Sequence, residues 1–406
     1  MGELKRSPRA GIIFYTVCIC FGMWVLAGVH SAIGTFQSDM IDSFSLVESQ
    51  KGLPSSMLSC FTILTFVAVM FLAGRARKIS ILITGLALGF VSLCLIQLLN
   101  VHSFTLLLVL LSAAGIACGA IDSLSSAVIS ELYPGKSGIM CVLHALYGLS
   151  GFSMPFLFKL FIKPKPWANG SYEVGTWRAA FASLGACMLA LFVMLIVLKR
   201  LYGEGIEEKP KKSERVRAAM VKQVLSEKRL WPLYLSSVLG GMYMNTMLVW
   251  TPRFISIGHG GEKYLSWALP CVYLSITLSR LTMSWIKPPL ARTLKGMMPF
   301  AALLLAVAIL VKSPLAALIF TFLSVFCYAP VIPFQVTLAG EVLLERRFIV
   351  TVSLMFVMML GQTVIAPVIG LAESRWGINA ALYLAAAAMA LSWIAALFIK
   401  NDDHKA

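Results

Sequence analysis

Long apolar stretches alternate with short polar segments along almost the whole chain. A membrane-spanning helix needs roughly 20 apolar residues, and twelve stretches approach or exceed that length. They cover about residues 11–35, 53–73, 79–99, 104–132, 138–162, 178–200, 231–256, 264–286, 296–311, 314–343, 347–371 and 376–399. The pattern predicts an all-α polytopic membrane protein with twelve transmembrane helices.

The longest polar segment, residues 201–230, divides these stretches into six and six. It is rich in Lys, Arg and Glu, and its second half has the composition of a short basic helix that lies along the lipid headgroups. Residues 1–200 and 231–406 are therefore predicted to form two six-helix bundles. The segment between them is predicted to be a basic cytoplasmic linker.

The two predicted bundles share a weak internal symmetry. Glu131, near the end of the fourth stretch, is followed by Gly151 after 20 residues, and Glu341, near the end of the tenth, is followed by Gly361 at the same spacing. Matched features of this kind are typical of transporters built from parallel repeats. We therefore expect the two halves to be related by pseudo-symmetry.

Composition supports the membrane prediction. Of the 406 residues, 59% are apolar and only 13% are charged, whereas an average soluble domain has about 25% charged residues. These values exclude a soluble enzyme, a disordered protein and a nucleic-acid-binding domain. The nine cysteines all fall within apolar stretches, and we interpret them as small buried residues.

The net charge of +16 is explained by membrane topology, without a nucleic-acid partner. Cytoplasmic loops collect Lys and Arg, and with both termini in the cytoplasm 24 of the 34 Lys and Arg residues fall on that side. Nine fall outside, and Arg280 lies within a span. The count predicts a plasma-membrane protein, in a bacterium an inner-membrane protein, with residues 201–230 inside and residues 163–177 outside.

Asp122 is the one acid deep inside a predicted span. It lies ten residues before Leu132, about 15 Å at 1.5 Å per residue, and so near the bilayer midplane. A carboxylate there costs on the order of 3 kcal/mol and should face the protein interior or a water-filled cavity. We interpret it as a proton or substrate site, or as a neutral acid that links two helices. His144, at similar depth on the next antiparallel span, is placed either to share its proton or to bond another helix.

Other polar residues within spans are weaker candidates for a role in transport, because hydrogen bonds between helices explain their presence nearly as well. Arg280, near the end of the eighth span, either extends to the cytoplasmic headgroups or pairs with Glu341 as an inner gate. Gly115 and Gly119 form a GxxxG step that predicts a close helix contact. The candidates for lining a solute cavity are His30, Asn245, Trp250, Gln335 and Gln362.

Signatures of catalysis are missing from the sequence. The run from Pro134 to Ser137 resembles the end of a phosphate-binding loop, but Ser130 stands where that loop needs a glycine. The five histidines do not have the spacing of a zinc protease. We therefore expect no enzymatic activity, no metal and no cofactor. The expected partners are the lipid bilayer, a small-molecule substrate and protons, and the expected state is a monomer.

One segment combines several of these features. It has an acid in the fourth span, a Pro-Gly turn, and a Leu-His-x-x-aromatic-Gly run followed by a proline in the fifth. The residues concerned are Asp122, Pro134, Leu143, His144, Gly148, Gly151 and Pro155. With this combination the chain resembles the fucose/proton symporter-like branch of the major facilitator superfamily. The resemblance implies a twelve-helix fold with two six-helix halves, and it implies that Asp122 is the proton-coupling residue.

With this resemblance the sequence predicts a secondary transporter of a small polar, sugar-like solute that works by alternating access with proton coupling. The branch's sugar symporters have a second acid in the first span, where this chain offers only His30. Two alternatives stay open. One is an exporter of drugs or amphipathic metabolites of the same superfamily, which the 20 Met and 24 Phe residues would suit. The other is a transporter-like sensor without flux.

Overall fold

The computed structural model describes residues 8–47, 50–158, 177–206 and 216–399. Within these ranges the chain is helical, with short connections and no β-strand. Residues 163–176 of the predicted external loop and residues 207–215 of the predicted linker lie outside the described residues. The all-α prediction is confirmed.

The six predicted spans of the first half correspond to six long helices, and one short helix follows the first of them. In chain order the helices are α1 (Pro8–Thr35), α2 (Gln37–Phe44), α3 (Leu53–Leu72), α4 (Lys78–Leu98), α5 (Phe104–Leu132), α6 (Ser137–Phe158) and α7 (Trp177–Ile206). The proline in the first turn of α3 is well placed, because the N–H that it lacks has no partner within the helix there.

The second half contains the six remaining spans, one of them divided in two, and a short helix before them. In chain order the helices are α8 (Ala218–Leu225), α9 (Trp231–Arg253), α10 (Leu265–Ile286), α11 (Leu290–Leu310), α12 (Pro314–Tyr328), α13 (Val331–Val342), α14 (Arg347–Trp376) and α15 (Ile378–Leu397). The short α8 lies where the sequence predicts a basic helix in the second half of the linker.

In the described part of the chain, ten helical segments, among them α12 and α13 taken together, are long and apolar enough to cross a membrane. The helices α9 and α10 have the length but are less apolar, because they carry many hydroxyl side chains. These hydroxyls are bonded inside the protein: Tyr243 Oη lies 2.6 Å from Ser324 Oγ, and Ser275 Oγ donates to Phe322 O at 2.7 Å. A helix whose polar groups are satisfied by its neighbours does not need to be apolar on every face.

The break between α12 and α13 follows from proline chemistry. Pro330 has no N–H, so the carbonyl of Phe326, four residues earlier, loses its helical hydrogen bond. The Ser279 hydroxyl of α10 donates to that carbonyl at 2.5 Å instead. The irregular backbone is therefore satisfied by a side chain of the neighbouring helix, as is required of non-helical backbone at membrane depth.

The chain divides into two compact units. One consists of residues 1–125 and 153–217, and the other of residues 126–152 and 218–406. The end of α5 and most of α6 thus belong with the helices of the second half. This division follows contacts in space, whereas the predicted bundles follow the order of the spans in the sequence.

In the first unit, α5 packs closely against α3 through two glycines. A Cβ atom on Gly115 would lie 2.5 Å from Leu58 O, and one on Gly119 would lie 2.5 Å from Thr62 O. The Thr62 hydroxyl also donates to Gly115 O at 3.1 Å. The close contact that the GxxxG step predicts is confirmed.

In the second unit, α9 packs along α14 and α15. A Cβ atom on Gly361 would collide with Val238 O, so the backbones of α9 and α14 approach closely there. Tyr234 Oη and Ser353 Oγ form a hydrogen bond of 2.8 Å between the same two helices. Close packing of small residues together with buried hydrogen bonds is how helices associate in a membrane.

Candidate functional site

Asp122 lies in the interior of α5, ten residues before the helix ends at Leu132. Among the described residues it is the only acid in the interior of a spanning helix, and the others lie at helix ends, in α2 or in connections. Its side chain is half-buried, and no described residue forms a hydrogen bond with its carboxylate. The helix-linking bond that was the alternative interpretation is therefore not made in this structure.

Neighbouring helices cover other faces of α5 around Asp122. Ala120 packs against Gly85 of α4, and Ile121 packs against Gly22 of α1. Cys118, one turn before Asp122, is fully buried. The first unit therefore fixes the orientation of the helix that carries the acid.

His144 is buried in α6, with 4% of its surface exposed. Its Nε2 lies 3.4 Å from Ser126 Oγ. Ser126 follows Asp122 by four residues on α5, and residues with that spacing share one face of a helix. His144 is thus linked to the face of α5 that bears Asp122. That the two side chains share a proton stays a prediction.

Arg280 is 4% exposed, so the interpretation that it extends to the headgroups is wrong. The reason lies in the second proline of the broken span. Pro333 has no N–H, which frees the carbonyl of Ala329, and Arg280 Nε donates to that carbonyl at 2.8 Å. Arg280 Nη1 donates to His144 O at 2.7 Å. The guanidinium is therefore held inside the protein between α6 and the break in the tenth span.

Glu341 lies at the C-terminal end of α13, beside the turn between α5 and α6. A Cβ atom on Gly135, which has a φ of +69°, would lie 2.9 Å from Glu341 Oε1. The hydrogen bonds of Arg280 go to backbone carbonyls, and none goes to Glu341. The gate pair Arg280–Glu341 is therefore not formed in this structure and stays a prediction for the outward-facing state.

Arg347 is a buried cation that the sequence does not single out, because it follows a polar connection and counts among the cytoplasmic charges. It is 8% exposed, and it donates from Nε to Gly340 O at 3.0 Å and from Nη1 to Ser130 O at 2.8 Å. Both carbonyls belong to the last turn of a helix, where the dipole favours a cation. Arg347 thus ties the C-terminal end of α5 to that of α13.

Two of the predicted cavity residues are used in packing or helix bonding. Gln335 is 1% exposed and bonds Ser236 and Ser237 of α9 at 2.7 and 2.8 Å. Trp250 packs against an apolar cluster of α14 and α15, and its indole N–H is buried without a partner among the described residues. For Gln335 the structure supports the alternative interpretation, a hydrogen bond between helices. A cavity role for either residue stays untested.

The other predicted cavity residues have partly exposed side chains. Asn245 in α9 and Gln362 in α14 are half-buried, and no described residue hydrogen-bonds their amides. His30 is also half-buried, with Nδ1 at 3.1 Å from Leu26 O. Asn245 and Gln362 are therefore the candidates whose polar groups are left for a solute. No cluster of metal-ligating side chains is found within the described ranges.

Comparison with known proteins gives both a family and a fold. The family model described as Major Facilitator Superfamily matches residues 13–346. The crystal structure of FucP, a Major Facilitator Superfamily transporter in the outward conformation, is similar with a TM-score of 0.74 and 15% identity, over 96% of this chain and 99% of that one. A search of the curated proteins finds no match.

Two further solved structures are similar over nearly the whole chain. The human organic anion transporter MFSD10 has a TM-score of 0.69 and 14% identity, with 95% of this chain and 99% of that chain covered. The proton:xylose symporter XylE, bound to 6-bromo-6-deoxy-D-glucose, has a TM-score of 0.72 and 13% identity, with 96% and 95% covered. At these identities the likeness shows the fold, which has twelve spanning helices.

Proposed function

Because the chain belongs to the Major Facilitator Superfamily, we propose that it moves a small polar, sugar-like solute across the membrane by alternating access, coupled to protons through Asp122. The family and the fold support a secondary transporter of the membrane rather than an enzyme. The likeness to a proton:xylose symporter supports a sugar-like solute. We place the protein in the plasma membrane, or in the inner membrane of a bacterium, with both termini in the cytoplasm.

The observation that carries the proposal is the half-buried carboxylate of Asp122, which has no hydrogen-bond partner among the described residues. Ionised acids at membrane depth are costly and serve in ion pathways and proton relays. A group that gains and loses a proton as the carrier cycles would occupy such a place. His144 modulates this exchange in the proposal, and Asn245 and Gln362 bind the solute.

Uptake into proteoliposomes tests the proposal. Purified transporter is reconstituted, and a panel of radiolabelled sugars and polyols is offered with and without an inward proton gradient, with protein-free liposomes as the control. Accumulation above equilibrium only with the gradient supports proton-coupled import. Equilibration without accumulation indicates a uniporter, and binding without flux indicates a sensor.

Arg347 provides a test of the inner gate. One of its two hydrogen bonds, to Ser130 O, joins the start of α14 to the end of α5, so we expect that bond to break when the cytoplasmic side opens. Hydrogen bonds of a charged donor contribute about 1.5–3 kcal/mol each. Arg347→Gln should therefore shift the conformational equilibrium toward the inward-open state by about tenfold or more. Spin labels at Lys136 and Glu345, both exposed, should then report longer distances.

Two variants accompany this measurement. Arg346→Gln is the matched control, because Arg346 bonds only the exposed Gln223 and its loss should leave the label distances unchanged. Glu341→Gln tests the pair with Arg280 that is predicted for the outward-facing state, and loss of that pair should also favour the inward-open state. Distances for Arg347→Gln equal to those of the control would refute the gate.

The proposed topology predicts which residues react from outside the cell. In a Cys-less background, His102→Cys in the α4–α5 connection should react with an impermeant maleimide in intact cells. Ser226→Cys, which follows α8, should react only after the cells are permeabilised. Both side chains are exposed, so access to the reagent depends on the side of the membrane. The opposite labelling pattern would reverse the orientation.

A further inference from the structure

Arg280 brings a positive charge into the second unit without a carboxylate beside it. A guanidinium remains charged in proteins, and a buried charge is costly unless a partner neutralises it. The side chains with which it interacts electrostatically are Cys141, Tyr147 and Tyr328. The described acids of this unit lie instead at helix ends and in connections: Glu131, Glu227, Glu262, Glu341, Glu345 and Glu373.

The guanidinium also keeps hydrogen-bonding capacity. It has five N–H groups, and the two bonds to Ala329 O and His144 O occupy one group on Nε and one on Nη1. Three N–H groups are left, two of them on Nη2. The planar fork of arginine suits a carboxylate, which can accept two parallel hydrogen bonds.

Tyr328 provides an independent sign of a missing ligand. It is fully buried, and its hydroxyl has no hydrogen-bond partner within the described part of the chain. The ring of Tyr243 packs against it with centroids 5.0 Å apart. The hydroxyl occupies the space that a Cβ atom on Gly240 would need. Buried hydroxyl groups are normally bonded, so a partner from outside the chain would satisfy this one.

Both residues, Arg280 and Tyr328, are held at the break in the tenth span. Tyr328 is the last residue of α12, and the carbonyl that holds Arg280 belongs to the next residue, Ala329. Secondary transporters commonly form their solute sites at discontinuous helices. His144, whose carbonyl also holds Arg280, connects the same place to α6.

We propose that Arg280 and Tyr328 form a subsite for a carboxylate on the transported solute, so that the solute is a small hydroxylated organic acid of the sugar-acid class. This inference rests on the proposed transport function and narrows its substrate class. The solute carboxylate accepts hydrogen bonds from the free N–H groups of Arg280 and from the Tyr328 hydroxyl. Solute binding then neutralises a charge that the protein leaves uncompensated.

Thermal stabilisation of the purified protein tests the subsite, with glucuronate and gluconate as acidic probes and glucose and mannitol as their neutral counterparts. The acids should raise the melting temperature, and the neutral compounds should not. Tyr328→Phe should weaken acid binding about tenfold, as expected for the loss of one hydrogen bond to a charged group. Arg280→Gln, which removes the charge but keeps an amide donor for the carbonyls, should abolish it.

Tyr243→Phe is the matched control, because the hydroxyl of Tyr243 is already bonded to Ser324 and its loss should lower stability without changing acid binding. If Arg280→Gln fails to fold, Tyr328→Phe against Tyr243→Phe still decides the question. The subsite is wrong if no acid stabilises the wild type, if glucose or mannitol does so equally, or if inorganic phosphate binds better than the carboxylates. It is also wrong if Tyr328→Phe binds the acids like the wild type.

Flux measurements separate this inference from the transport proposal. Uptake of neutral sugars alone would overturn the subsite and leave the proposed transport standing. Binding of sugar acids that depends on Arg280 and Tyr328, without flux of any solute in proteoliposomes, would support the subsite and overturn transport. Uptake of glucuronate that is lost in Tyr328→Phe supports both.

Discussion

Replacement of Asp122 by Asn should abolish uphill accumulation of solute while exchange of solute across the bilayer continues. The amide cannot ionise, so the carrier behaves as though the site were permanently neutral. If neutralisation of this site permits loading and ionisation blocks return of the empty carrier, the variant can equilibrate solute but cannot use the proton gradient. The expected readout is a final internal concentration equal to the external one, with a near-normal exchange rate.

Controls separate this role from a structural one. Asp42→Asn removes an exposed carboxylate of α2 and should leave accumulation and exchange unchanged. His144→Ala should shift the pH optimum of uptake and retain some transport, because it removes the side chain linked through Ser126 to the same face of α5. Accumulation by Asp122→Asn with normal pH dependence would show that another group, or another ion, couples transport.

The spans could be predicted from the sequence because length and apolarity are local properties. Each stretch of about 20 apolar residues has few stable alternatives to a helix in a bilayer. The boundaries agree with the structure to within a few residues for most spans, for example 104–132 for α5. The GxxxG contact was equally predictable, because small residues one turn apart allow close approach.

The surroundings of individual polar residues could not be predicted in this way. Whether Arg280 reaches the headgroups or turns inward depends on the carbonyl group of Ala329, which Pro333 frees about 50 residues later in the chain, and on the carbonyl of His144. Gln335 looks like a cavity residue by itself, and only the positions of Ser236 and Ser237 show that it is bonded to another helix. These contacts join residues that are far apart in sequence.

Arg347 shows a different limit of prediction from the sequence. Counting Lys and Arg predicts the side of the membrane on which a segment lies, but it treats every cation near a span end as solvated. The structure buries Arg347 against the last turns of α5 and α13. The sequence shows two consecutive arginines, Arg346 and Arg347, at the start of an apolar stretch. Only the structure distinguishes them, because it pairs Arg346 with the exposed Gln223.

Replacement of Gly119 by Leu should prevent the first unit from folding, which is the largest stability effect that we expect. A single Cβ atom at this position would lie 2.5 Å from Thr62 O and 2.6 Å from Thr65 Cβ, so α3 and α5 would have to separate. Gly119→Ala should already cost about 1–3 kcal/mol, the range for overpacked cores. The larger side chain of leucine should leave little folded protein in the membrane.

Gly296 of α11 gives the matched comparison, because nothing lies within 4 Å of a Cβ atom built on it. Gly296→Ala should be neutral or stabilising by up to about 1 kcal/mol, since alanine favours helix more than glycine does. Fluorescence-detected size exclusion measures the folded yield, and melting temperature measures the alanine variants. If Gly119→Ala melts at the same temperature as Gly296→Ala, the close approach of α3 and α5 is not needed for stability. In that case Gly115→Ala should also leave the melting temperature unchanged, although its Cβ atom would lie 2.5 Å from Leu58 O of α3.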